Sequence, residues 1–162
     1  VILTAKALAS GLPLSAVVSR AELMTWPPGS HATTFGGNPV AVEAAIATID
    51  TIRKMKLLEN AEKVGEYMMK RLKEIEEKHE IVGDVRGKGL MIGAEIVKNK
   101  RSKIPNPEGA GKIVEYSWKH GVLLITAGIS TLRFAPPLII TEDLATKALD
   151  IVEEGIKEAE KN

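Results

Sequence analysis

Apolar positions change their spacing near residue 39. Before it they fall in short runs, Val1-Ile2-Leu3 and Ala16-Val17-Val18, separated by Ser10-Gly11-Leu12-Pro13. That is strand, turn, strand chemistry, and it predicts short buried strands over 1–3 and 16–19. An apolar run at the first residue, with no polar lead-in, is what a chain cut from something longer is expected to show. Pro27, Pro28, Gly29, Gly36, Gly37 and Pro39 bracket a long loop, and loops of that length in compact domains are usually functional or disordered. Asn38 followed by Pro39 reads as a helix N-cap with proline at the first helical position. The helix it opens, over 40–52, carries Val42, Ala45, Ile46 and Ile49 nearly all round, which predicts deep burial.

From residue 55 onward the periodicities are cleaner. Leu57, Ala61, Val64, Met68, Leu72 and Ile75 recur at helical spacing opposite a Glu and Lys face, the pattern of a surface helix. Strands are predicted over 81–85 and 90–97, around a turn at Arg86-Gly87-Lys88-Gly89. Residues 98–106 form a polar loop, and Asn106-Pro107 opens a helix that His120-Gly121 closes. Further strands are predicted over 122–126 and 131–134, after which Pro136-Pro137 ends the sheet because proline cannot donate to a ladder. Thr141 caps the last helix, with Glu142 and Asp143 on the favourable end of its dipole. Its predicted buried stripe is Leu144, Ala148, Ile151, Val152 and Ile156. Residues 55–162 therefore read as a small α+β domain, three or four strands covered by helices. Residues 1–54 read as the end of a different unit.

Composition narrows the function. Hydrophobic residues make up 44% and charged residues 27%, ordinary values for a globular protein. Lys and Arg number 22 against 21 Asp and Glu, and no basic stripe carries interleaved aromatics, so nucleic acid is not expected as a partner. No run is long and apolar enough for a bilayer span, and nothing resembles a signal peptide. The expected location is the cytoplasm. With no cysteine, disulfides and thiolate metal sites are excluded. Gln is also absent and the charge is mostly Lys and Glu, a bias seen in thermophile proteins.

Three places could carry chemistry. Lys6 follows an apolar run and precedes Ala7, Ala9, Ser10 and Gly11, small residues that leave room for a bulky adduct. It reads either as a solvated lysine or as a desolvated amine able to attack a carbonyl. Thr33-Thr34-Phe35-Gly36-Gly37-Asn38 gathers hydroxyls, glycines and a helix start, which suits an anion or simply caps the helix. Arg133, between Leu132 and Phe134, is either an edge-strand arginine in water or a planar clamp for a carboxylate. Arg86-Gly87-Lys88-Gly89 lacks phosphate-loop spacing and is a turn. His31, His79 and His120 are scattered, so no metal is expected, and no G-x-S-x-G elbow supports a serine hydrolase.

Taken in order, four segments resemble the class III aminotransferases. Thr4-Ala5-Lys6-Ala7-Leu8-Ala9-Ser10-Gly11-Leu12-Pro13-Leu14-Ser15-Ala16 is similar to the stretch around that family's cofactor lysine. His31-Ala32-Thr33-Thr34-Phe35-Gly36-Gly37-Asn38-Pro39 resembles its second signature. Val85-Arg86-Gly87-Lys88-Gly89-Leu90-Met91-Ile92-Gly93 resembles the strand pair opening its small domain. Leu132-Arg133-Phe134-Ala135-Pro136-Pro137-Leu138 resembles the carboxylate-binding segment of the 4-aminobutyrate and ornithine enzymes. Ser15 and Ala32 stand where many members have Gly.

The resemblance implies an α/β protein of fold type I, dependent on pyridoxal 5′-phosphate (PLP). Residues 1–54 would end the large cofactor domain and 55–162 would be the C-terminal small domain. Lys6 would hold PLP as a Schiff base and carry a proton between the substrate's α-carbon and the cofactor. Thr34 would reach the PLP phosphate of a neighbouring subunit, implying a homodimer or higher homo-oligomer. Arg133 would bind the carboxylate of glutamate or 2-oxoglutarate. The implied reaction moves an amino group from 4-aminobutyrate or a similar amino acid to 2-oxoglutarate. A racemase or aminomutase would use the same Lys6. The phosphate cup, the ring over PLP and the acid facing its pyridine nitrogen lie upstream of the lysine in that family. The 162-residue chain alone is therefore expected to be inactive, and a purely structural or dimerisation module is the reading from another class.

Overall fold

The computed structural model describes residues 1–161, and in it the two strand runs before Pro39 pair with each other. Strand β1, Ile2–Thr4, lies antiparallel to β2, Ala16–Val18, with Leu3 opposite Val17. Helix α1, Pro39–Lys54, follows the irregular segment as expected. The chain divides into two compact units, Val1–Lys56 and Leu57–Asn162.

The first unit departs from its predicted burial. Val1, Ile2 and Leu3 are exposed, as are Val42, Ile46 and Ile49 on α1; only Ala9, Ala41 and Ala45 are buried. A two-stranded ribbon presents two faces and covers neither. In this unit α1 receives one short turn, so its small-residue stripe is covered and its branched side chains are not.

The second unit is built from helix α2, Leu57–Lys78, strands β3, Val82–Lys88, and β4, Met91–Ile96, helix α3, Pro107–Lys119, strands β5, Ile125–Ala127, and β6, Thr131–Phe134, and helix α4, Glu142–Glu160. The four strands form one antiparallel sheet in the order β3-β4-β6-β5. Alternation buries Val85, Ile92, Ala94, Ile96, Leu132 and Phe134 on one face, where they join Leu72 and Ile75 of α2, Ile113 of α3, and Leu149, Val152 and Ile156 of α4. Each such large side chain contributes about 1.5–3 kcal/mol by leaving water. The helix starts are as read: Asn106 Oδ1 accepts from Gly109 N at 2.9 Å and Thr141 Oγ1 from Leu144 N at 3.3 Å.

Two predicted boundaries move. The β3–β4 turn is Gly89-Leu90, because pairing continues to Lys88 opposite Met91. Gly89 supplies the positive φ of +54° that a two-residue hairpin requires. The stripe of α4 is rotated: Ala145, Leu149, Val152, Glu153 and Ile156 are buried, while Leu144 is exposed. Glu153 can face inward because Arg71 of α2 meets it at 2.7 Å.

That pair is coupled to pH. Burial alone would raise the Glu153 carboxyl. The charge and hydrogen bond of Arg71, with Lys78 and Lys157, outweigh it and hold the group below the usual carboxylate range. A depressed pKa contributes stability above the unfolded value that is lost as pH falls through the folded one. Glu153→Gln is expected to cost about 1 kcal/mol at neutral pH. The gap from wild type, followed by denaturant unfolding, should close on acidification below pH ~4. A gap that stays constant with pH would show that ionisation of Glu153 contributes nothing.

Close approach explains one helix glycine. A Cβ on Gly65 of α2 would strike the backbone carbonyl of Gly89 at the hairpin turn, whereas one on Gly111 of α3 would meet open space. Gly65→Ala is expected to destabilise by about 1–3 kcal/mol as an overpacking change. Gly111→Ala should instead stabilise by about 0.5–1 kcal/mol. Unfolding midpoints that move in the same direction would contradict the packing described.

Candidate functional site

Lys6 comes directly off β1 and opens a 3-10 turn, Lys6–Ala9, after an extended Ala5. Its φ is +54°, in the left-handed region that residues with a Cβ enter at a cost of order 1–3 kcal/mol. Non-glycine residues in such conformations cluster where function over-determines them. Ser10, φ +48°, ends the turn in the same region. The turn is fastened to α1 at two points. Ala9 packs against Ala41 and Ala45, and Ser10 Oγ lies 2.9 Å from Thr48 Oγ1. The Thr48 hydroxyl already donates to the Ala44 carbonyl at 2.8 Å, so Ser10 is the donor of that pair. Lys6 is thus an exposed amine on a strained, anchored turn, with Ala5, Ala7 and Ala9 beside it.

The segment preceding α1 is irregular but knitted. Ser30 donates through its hydroxyl to the Pro27 carbonyl at 2.7 Å, and Trp26 meets the His31 ring edge-on at 4.7 Å. Asn38 closes the loop and caps the helix with one side chain. Its Nδ2 donates to the Phe35 carbonyl at 3.0 Å, and its Oδ1 accepts from Ala41 N at 3.0 Å. Asn38 thus does the capping in Thr33-Thr34-Phe35-Gly36-Gly37-Asn38, and Thr34 is exposed on that segment.

Arg133 belongs to the second unit. It does not sit on an edge strand: β6 lies between β4 and β5, with Arg133 opposite Gly93 on one side and Ile125 on the other. Alternation with buried Leu132 and Phe134 puts its side chain on the open face of the sheet. It is also the single charged residue bordering an apolar cleft of about 380 Å³, whose wall includes Leu124, Phe134, Ile140 and Leu149. With so few polar groups that cleft carries no acid–base chemistry of its own. Among the described residues the side chains of Lys6, Thr34 and Arg133 enter no hydrogen bond or ion pair. Lys6 and Thr34 share the first unit, and Arg133 is in the second.

Two features went unread in the sequence. Nothing in Thr4-Ala5-Lys6-Ala7 announces a left-handed lysine, since Lys has no preference for that region. Gly93, the register neighbour of Arg133, was hidden among the other glycines, although a glycine inside a strand pattern is itself a signal. Among the described residues no three His, Asp or Glu side chains gather as metal ligands, and no helix is long and apolar enough to cross a membrane.

Comparison with known proteins places these observations. The sequence model described as Aminotransferase class-III matches residues 1–156. The chain is 47% identical over 159 residues to an alanine/serine racemase of Pyrococcus horikoshii, covering 97% of this chain and 33% of that protein. It is 45% identical over 161 residues to a leucine/methionine racemase of Thermococcus litoralis, covering 99% and 36%. It is 42% identical over 154 residues to a 4-aminobutyrate aminotransferase of Mycobacterium leprae, covering 93% and 34%. Among solved structures, the acetylornithine aminotransferase of Elizabethkingia anophelis superposes with a TM-score of 0.85 at 33% identity, covering 96% of this chain and 38% of that one. An amine transaminase from an uncultivated Pseudomonas species, in its PLP-bound form, superposes at 0.77 with 32% identity, covering 82% and 30%. The chain spans about a third of the length of the curated relatives it matches.

Proposed function

Because the chain belongs to the class III aminotransferase family, a PLP-dependent family of fold type I, we propose that the complete protein transfers an amino group from an amino acid to 2-oxoglutarate through Lys6. Amino donors of the 4-aminobutyrate type fit this reading, and a relative 42% identical carries that activity in its name. The observation that carries the proposal is the setting of Lys6, an exposed amine among small residues on a turn that Ala9 and Ser10 anchor to α1. Lys56 and Lys103 are also exposed and left-handed, but Lys6 is the one within the segment that resembles the family's cofactor-lysine stretch, and the small residues around it fit a bulky adduct. PLP, when bound, supplies the electron sink. Lys6 Nζ would take and return the proton of the substrate carbon that bears the amino group, which is general acid–base work within reach of one flexible side chain. Arg133 offers two parallel N–H donors to a carboxylate.

The test is turnover by the complete protein with 4-aminobutyrate, ornithine and alanine as donors. Glutamate formed only when 2-oxoglutarate is present supports transfer. Inversion of alanine or leucine without any oxo acid supports the second reading, an amino-acid racemase. Identities of 47% and 45% to two racemases favour that second reading. Lys6 has the same role in both.

Thr34 is proposed to serve the phosphate of a neighbouring subunit, which makes the active unit a homodimer or larger. Its loop ends at a helix start, where N–H donors and hydroxyls suit an anion. Complete Thr34→Val subunits mixed with complete Lys6→Ala subunits are expected to regain activity. Each heterodimer then has one site built from the first subunit's Lys6 and the second's Thr34. No recovery despite demonstrated subunit exchange would place Thr34 at its own subunit's site or at none.

A further inference from the structure

The Lys6 turn is bracketed by two residues in a backbone conformation that costs energy. Four non-glycine residues among those described have φ in the left-handed region, and two of them, Lys6 at +54° and Ser10 at +48°, open and follow the turn Lys6–Ala9. Glycine would adopt the Ser10 conformation without that cost. What serine has and glycine lacks is the hydroxyl, and that hydroxyl makes one hydrogen bond, to Thr48 Oγ1 at 2.9 Å.

Helix α1 offers this turn a seat. Ala41, Ala45 and Thr48 recur at the spacing of one helix face, and Ala41 and Ala45 are buried in one small cluster with Ala9. The two alanines let the backbones come close, and Thr48 closes the seat with a polar group. Thr51, on the same helix, supplies the contrast. Both threonines donate back to the carbonyl four residues earlier, Thr48 to Ala44 and Thr51 to Ala47, each at 2.8 Å. Only the Thr48 oxygen also accepts from another element, and among the described residues that is the one side-chain hydrogen bond between the turn and α1.

We infer that Thr48 is a positioning residue for Lys6: by accepting from Ser10 it holds the turn in the conformation from which the Lys6 amine meets PLP. The inference rests on the reading of Lys6 as the residue that holds PLP, and adds the group on α1 that fixes its backbone. The path between them is short. Leu8 N donates to the Ala5 carbonyl and Ser10 N to the Ala7 carbonyl, both at 3.2 Å, so residues 5–10 move as one piece. One neutral hydrogen bond is of the same order as the strain of one left-handed residue. Losing it lets the turn relax in a sizeable fraction of molecules, and Lys6 moves with it.

PLP binding to the complete protein, followed by fluorescence titration, tests this. Thr48→Val removes the acceptor and is expected to weaken PLP about threefold to tenfold, the loss that accompanies one neutral hydrogen bond. Thr48→Ser returns the hydroxyl and should restore wild-type affinity. Thr51→Val loses only a bond within α1 and should leave affinity unchanged. Ser10→Ala removes the donor instead and should lose as much as Thr48→Val, which keeps the test valid if valine disturbs the helix. In a Lys6→Ala background the Thr48 and Ser10 substitutions should have no further effect, because Thr48 acts through Lys6; a contact that only supports the fold would weaken PLP equally in both backgrounds. Wild-type affinity in Thr48→Val and Ser10→Ala, or equal losses with and without Lys6, would overturn the role of Thr48 alone. A wild-type protein that holds PLP through another lysine, or through none, would overturn the reading of Lys6 and this inference with it.

Discussion

Lys6→Ala in the complete enzyme is expected to abolish measurable turnover, while PLP remains able to bind without a covalent link. Two losses combine. The amine proposed to fix the cofactor in place is gone, and so is the group proposed to move the proton of the amine-bearing carbon. Positioned proton transfer alone is worth about 10²–10⁴-fold in rate. Alanine also relaxes nothing in the fold, since Lys6 is exposed and its side chain joins no hydrogen bond or ion pair among the described residues. Circular dichroism and unfolding midpoints should stay at wild-type values. That separates a lost catalytic group from a lost structure. Near-normal transamination or racemisation by the variant would remove Lys6 from the chemistry.

Arg133→Lys comes next in size. Lysine preserves the charge but replaces a planar fork with a single, strongly hydrated ammonium, so two parallel hydrogen bonds to a carboxylate become at most one. The expected loss is about 1.5–3 kcal/mol, or roughly one to two decades in kcat/KM for 2-oxoglutarate. Stability should not follow, because Arg133 is exposed on the open face of the sheet and forms no ion pair there among the described residues. Monocarboxylic amino donors should show far smaller effects. Unchanged kinetics with 2-oxoglutarate would leave Arg133 as a solvated strand residue.

Much of the second unit was legible because its local signals agree with its packing. Asn106, Thr141 and the α2 stripe act as their sequence positions imply, each being a local rule that needs no distant partner. Where the reading slipped, a long-range partner decided. Glu153 faces inward because Arg71, on another helix, neutralises it. The α4 stripe accordingly turns away from Leu144. Arg133 looked like an edge residue because Pro136 and Pro137 follow it, but β5, just before it in the chain, pairs on its far side. In the first unit the hydrophobicity of α1 overstated its burial, since one short turn shields only Ala41 and Ala45. The backbone of Lys6 was invisible for a different reason: a left-handed conformation in a non-glycine residue is imposed by its surroundings and has no composition of its own.

The central claim, that Lys6 is the residue that holds the cofactor, has a direct chemical readout. The complete protein is loaded with PLP, reduced with borohydride and digested, and the lysine that has gained the pyridoxyl group is located by mass spectrometry. Reduction fixes the group on whichever lysine carried it, independently of turnover. The account predicts the modification on the peptide containing Thr4-Ala5-Lys6-Ala7, and its loss in Lys6→Ala. A pyridoxyl group found on another lysine, or none on a protein shown to bind PLP, would contradict it.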